Sequence, residues 1–164
     1  TGVQTCALPI SVSSSGRQSA HPIVGTWRLL DWRTEYSDGR APTLPFGENP
    51  EGLLVYSPDG WMNASICRPN RPQMSSPSLK HAPIQERLDA IDSFMNYGGP
   101  YSFPDHDHVR HEVVIALYPN LIGSDQVRRM RFDGSDTLVL SAEDALPDSP
   151  VKRKHSLTWK RVQR

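Results

Sequence analysis

Two short segments at opposite ends of the chain constrain its fold more than any other feature. Val24-Gly25-Thr26-Trp27-Arg28-Leu29-Leu30 opens on a Gly-x-Trp pattern, and Leu157-Thr158-Trp159-Lys160-Arg161 answers it near the other terminus. In a closed β-barrel the first and last strands are neighbours, so Trp27 can plug one end while a late arginine lays its planar guanidinium over the indole. Gly25, Trp27, Trp159 and Arg161 are therefore the expected structural signature.

The intervening chain reads mostly as strands. Val24 to Tyr36 places Trp27 and Leu29 on one parity and Leu30, Trp32, Thr34 and Tyr36 on the other, so the buried face changes midway and a bulge or sharp bend is expected. Gly52 to Ser57 and Trp61 to Cys67 form a hairpin around Ser57-Pro58-Asp59-Gly60. The expected pairing groups Leu53, Val55, Met62, Ala64 and Ile66 on one face and Leu54, Tyr56, Trp61, Asn63 and Ser65 on the other, and either set can line the interior. Arg68 to Pro83 is proline-rich and reads as a long loop. Ile84, Leu88, Ile91 and Met95 then recur at helical spacing, flanked by Phe94. They predict an amphipathic helix of about four turns that stops at Gly98-Gly99, its apolar stripe covering the open end or one wall of the barrel.

Tyr101 to Phe103, His108 to Tyr118, Asp125 to Phe132, Thr137 to Ala142 and His155 to Val162 supply the remaining strands. Asp-Gly turns and short strands favour antiparallel pairing, and closure removes exposed edges. The expected fold is all-β, a single antiparallel up-and-down barrel of about eight strands with one amphipathic helix inserted mid-chain.

Bulk properties bound the partners. Eighteen basic and eighteen acidic side chains cancel over 164 residues, so no long-range field draws in nucleic acid. Arg128, Arg129 and Arg131 are a dense basic run, but on a strand they divide between two faces. No apolar run approaches the roughly 20 residues of a membrane span, and the polar face of the expected helix sets Arg87 against Glu86, Asp89 and Asp92, unlike a membrane-surface helix. Thr1 to Ile10 look like the translated read of a sequencing-library adapter, and Ser11 to Ala20 read as a disordered lead-in, which leaves one domain over 21–164. Cys67 is then the sole native cysteine, no disulfide framework is expected, and the cytoplasm is the default location.

Among chemical candidates, Asp105-His106-Asp107-His108-Val109-Arg110-His111-Glu112 contains His-x-His-x3-Glu, which resembles the first metal motif of cupins. His106, His108 and Glu112 share the polar parity and no second motif follows, so no metal or other cofactor is expected. His111 stands among Val109, Val113, Ile115 and Leu117 on the apolar parity. There it is either a hydrogen-bonded core histidine or a donor or general base inside a cavity. Arg128 shares a parity with Gln126, Met130 and Phe132 and can join it, since a buried arginine wants an anion. Tyr56 and Asn63 offer polar tips beside Trp61, and Tyr101 can stand at the mouth.

Taken together, Gly25-Thr26-Trp27, Gly52-Leu53-Leu54-Val55-Tyr56, Asp59-Gly60, Gly98-Gly99-Pro100-Tyr101, Val109-Arg110-His111 and Leu157-Thr158-Trp159-Lys160-Arg161 resemble the bacterial and fungal lipocalin-like domain family. The chain departs from classical secreted lipocalins, lacking their Thr-Asp-Tyr motif and cysteine bridge and placing its helix mid-chain. The resemblance implies a lipocalin-like β-barrel holding one small, largely apolar organic molecule, with Tyr56, Asn63, Tyr101, His111 and Arg128 as candidate ligand contacts. It also permits an enzyme of cyclase or isomerase type, acting on a polyketide-like or terpenoid-like compound with His111 as acid or base.

Overall fold

The computed structural model describes residues 21–163, so the adapter-like and serine-rich segments lie outside the described residues. The strands are β1 (Gly25–Tyr36), β2 (Glu51–Tyr56), β3 (Trp61–Cys67), β4 (Phe94–Ser102), β5 (His108–Glu112), β6 (Ile115–Ala116), β7 (Asp125–Asp133), β8 (Thr137–Ala145) and β9 (Lys152–Arg161), with one α-helix, α1 (Ile84–Asp92), between β3 and β4. The hydrogen-bonded order is β3-β2-β1-β9-β8-β7-β5-β4, and β3 pairs with β4 to close the ring. Two-residue β6 continues the edge of β5 against β4. The wall is thus an eight-stranded antiparallel meander, the arrangement in which no sheet edge is left open. Among the described residues no helix is long and apolar enough to cross a membrane.

The two terminal signatures meet as expected. β1 and β9 pair antiparallel with Trp27 opposite Arg161. Trp27 is fully buried and its Nε1–H donates to Ile23 O at 2.8 Å. The Arg161 guanidinium lies 4.1 Å from the Trp27 ring centroid. It also donates to the carbonyls of Val24 at 2.9 Å, Ser135 at 3.0 Å and Pro22, tying the strand end to the chain entering the barrel. Gly25 has φ of 135°, and a Cβ there would stand 2.8 Å from Arg161 Nη1, so both backbone and space demand glycine. Trp159 is buried in the same core.

The change of face along β1 is a bulge between Leu29 and Asp31. Leu30 is left pointing outward, after which Thr34 turns in.

Three local expectations are corrected. The hairpin register differs by one residue: Leu54 faces Ala64 and Tyr56 faces Met62, because Ser57 pairs with Trp61 around the three-residue loop Pro58-Asp59-Gly60. An odd loop couples like parities, so Leu54, Tyr56, Met62, Ala64 and Ile66 point inward, and Leu53, Val55, Trp61, Asn63 and Ser65 point outward.

The helix is also shorter than expected. It stops at Asp92, and Phe94-Met95-Asn96-Tyr97 begins β4, whose aromatic and branched partners favour a pleated surface. Gly98 and Gly99 lie within that strand rather than ending the helix. A Cβ on Gly99 would stand 1.9 Å from Glu112 O, so the glycine admits the neighbouring backbone. Ile84, Leu88 and Ile91 are exposed and cover neither the mouth nor the wall.

The third correction concerns the strand after His108. Tyr101 faces His111, but Gly98 faces Ile115, a one-residue shift in register. Val113 is tied to the loop backbone instead, donating to Ser124 O and accepting from Gly123 N. The faces therefore exchange, leaving Val109, His111 and Val113 inside while Ile115 and Leu117 are exposed.

Candidate functional site

The end opposite Trp27 and Arg161 opens into a cavity of about 490 Å³, within the size range of small-molecule sites. Inward-facing side chains of eight strands contribute to it, among them Trp32, Leu54, Ile66, Met95, Leu140, Leu157 and Trp159. The apolar wall follows from alternation along each strand, which points every second residue into the barrel.

At one wall the lining becomes polar. His111 is 1% exposed, and its imidazole sits between two tyrosine hydroxyls: Tyr56 Oη is 2.7 Å from Nε2 and Tyr97 Oη is 3.0 Å from Nδ1. Burial, aided by the positive charge of Arg128, lowers the His111 pKa to about 3, so the ring is neutral at physiological pH. Burial likewise pushes both tyrosines above the ordinary phenol range; the neighbouring Arg128 opposes that rise. With both nitrogens engaged and so weak a hold on a proton, this imidazole has no free lone pair to act as a general base.

Arg128 lines the cavity from β7. Its Nη2 donates to Gln126 Oε1 at 2.9 Å and its Nη1 to Val127 O at 3.0 Å, and Gln126 is itself held by Ser124. None of the ion pairs among the described residues includes Arg128. The carboxylates of Asp125, Glu143 and Asp144 belong to the exposed rim. Asp144 is occupied by Arg153 at 2.6 Å and His155 at 3.4 Å. Trp32 and Trp159, both cavity-lining, have indole N–H groups that are buried without a partner.

The remaining candidates are placed elsewhere. Asn63 is on the outer wall, accepting a hydrogen bond from Asn96 Nδ2 at 3.1 Å, a consequence of the hairpin register. Tyr101 is half-buried; its hydroxyl donates to Ser57 O at 2.8 Å and its ring meets Tyr56 edge-on at 5.0 Å, so it packs the closed end. Tyr56 reaches the cavity only through His111. His106 and Glu112 do not join His108, whose Nδ1 instead meets Asp105 and Asp107; Asp105 is exposed, and Asp107 and His108 are half-buried. Tyr97, Trp32 and Trp159 were not singled out as ligand contacts from sequence. Tyr97 was hidden by reading its segment as helix, and the Phe-Met-Asn-Tyr run after Ser93 is the signal that marks a strand there.

A closed antiparallel barrel with one plugged end and one deep, mainly apolar cavity defines a class of small-molecule-holding proteins. The sequence pattern of the lipocalin-like domain matches residues 24–162, and the chain belongs to that family. Among curated proteins it is similar to the 4'-hydroxy-3'-methoxypropiophenone carrier protein of Aspergillus oryzae, 31% identical over 110 residues that span 63% of this chain and 98% of the relative. A solved redesigned β-barrel aligns over 87% of this chain and 93% of its own, with TM-score 0.40 and 13% identity, and the fold rests on the strand pairing rather than on that likeness. Family and relative together support small-molecule binding.

Proposed function

We propose that the protein binds one small, largely apolar organic molecule in the barrel cavity and holds it without transforming it, the preferred ligand being an aromatic ketone with a polar ring substituent. The observation that carries this reading is the cavity of about 490 Å³, apolar over most of its wall and polar at Arg128, Tyr97 and His111. The name of the Aspergillus oryzae relative supplies the ligand chemistry. The engaged, neutral His111 speaks against the enzymatic alternative, which would need it as acid or base.

Isothermal titration with 4'-hydroxy-3'-methoxypropiophenone tests the proposal. Saturable one-to-one binding is expected. Ala142→Phe, which places a ring in the cavity from β8, should abolish it, whereas Asn63→Ala on the outer wall should leave it unchanged. Equal binding by wild type and Ala142→Phe would overturn the assignment of the cavity.

A further inference from the structure

The polar groups of the cavity have a direction. Tyr56 is wholly buried and His111 Nε2 is the one hydrogen-bond partner of its hydroxyl among the described residues. A buried hydroxyl hydrogen goes to an available acceptor, so Tyr56 O–H donates to Nε2. The neutral ring then carries its proton on Nδ1, and Nδ1–H donates to Tyr97 Oη. Tyr97's own hydrogen has no acceptor among the described residues, and Tyr97 lines the cavity. His111 thus acts as a positioning residue, turning Tyr97 into a donor toward whatever occupies the space.

The other inward polar atoms left without a partner are donors too. The Arg128 guanidinium faces the cavity without a carboxylate, and the indole N–H groups of Trp32 and Trp159 are buried and unpartnered. The titratable groups around this wall are Tyr56, Tyr97 and His111, with His155 held at the rim by Thr34 at 2.9 Å and by Asp144. The rim carboxylates are exposed, and Asp144 and Asp125 have their own cationic neighbours. A cavity whose interior offers donors and one uncompensated positive charge favours an acceptor that bears negative charge.

We infer that the cavity takes its ligand as an oxyanion, received by the Arg128 guanidinium and the Tyr97 hydroxyl; for a phenolic ketone the bound species is the phenolate. This rests on the proposed binding function and adds the charge state of the ligand. On entry the phenol O–H bond breaks heterolytically, the electron pair stays on oxygen, and the proton passes to bulk water.

The test uses the whole chain and two probes, 4'-hydroxy-3'-methoxypropiophenone and its methyl ether 3',4'-dimethoxypropiophenone, which cannot ionise. Absorption spectra are taken below the pH at which the free phenol ionises, and calorimetry in two buffers of different ionisation enthalpy counts protons. The expected result is a red-shifted phenolate band in the bound phenol, release of close to one proton per site, and binding of the methyl ether about 10-fold weaker or more. Arg128→Gln should lose the band and weaken phenol binding by about 10-fold or more, and Tyr97→Phe, which keeps the ring, should shift both in the same direction. A phenol bound without the band and without proton release overturns this inference and leaves the binding function standing. Failure of both ketones to bind overturns both.

Discussion

Replacing His111 by glutamine should flatten the acid dependence of stability. The imidazole binds a proton near pH 6.5 when unfolded but only at about 3 in the folded barrel, so between those values the unfolded chain holds more protons. Stability therefore falls as pH drops through the unfolded value, continuing until the folded ring protonates. From pH 7 to pH 5 the loss attributable to this group is about 2 kcal/mol, worked from the two pKa values at 1.36 kcal/mol per unit. Glutamine keeps one donor and one acceptor for Tyr56 and Tyr97 but does not titrate. His21 and His155, also lowered by burial, and Asp144, lowered by Arg153, contribute losses of the same sign, but they do so in both proteins. Urea unfolding followed by tryptophan fluorescence at both pH values gives the difference. Equal losses in wild type and His111→Gln would refute the burial of a neutral imidazole between the tyrosines.

Gly99→Ala should destabilise the barrel by about 3 kcal/mol or more in urea unfolding, since its Cβ would stand 1.9 Å from Glu112 O and the backbone of two strands would have to part. Arg161→Ala should cost about 2 kcal/mol by the same assay, removing the cation from the Trp27 face together with its hydrogen bonds to Val24 and Ser135.

The barrel was legible because its evidence is periodic or local. The Gly-x-Trp opening, the late arginine, the parity change after Leu29 and the repeated turn residues each have one economical reading, and each corresponds to a feature of the wall. What escaped depends on counts of one residue. The three-residue turn after Ser57 places Tyr56 inside and Asn63 outside, and the register shift near Val113 ends the apolar alternation that the sequence alone extends to Leu117. Such slips leave composition untouched while exchanging faces. Tyr97 was missed for a related reason: Met95 lies at helical spacing from Ile91, and the pairing of β4 with β3, a contact distant in sequence, decides that segment. His111 and Arg128 could be singled out since each is a polar residue on an otherwise apolar parity, but the bracketing tyrosines come from a strand that only the fold brings alongside.

The four tryptophans offer the most direct test of cavity binding. In a two-dimensional 15N–1H spectrum each indole N–H gives its own resonance, and the four stand in different places: Trp32 and Trp159 line the cavity with unpartnered N–H groups, Trp27 is capped by Ile23 O, and Trp61 is on the outer wall. Titration with 4'-hydroxy-3'-methoxypropiophenone should move the Trp32 and Trp159 resonances to saturation at one equivalent while Trp27 and Trp61 stay in place. Movement confined to Trp61, or no movement of Trp32 and Trp159, would contradict binding inside the barrel.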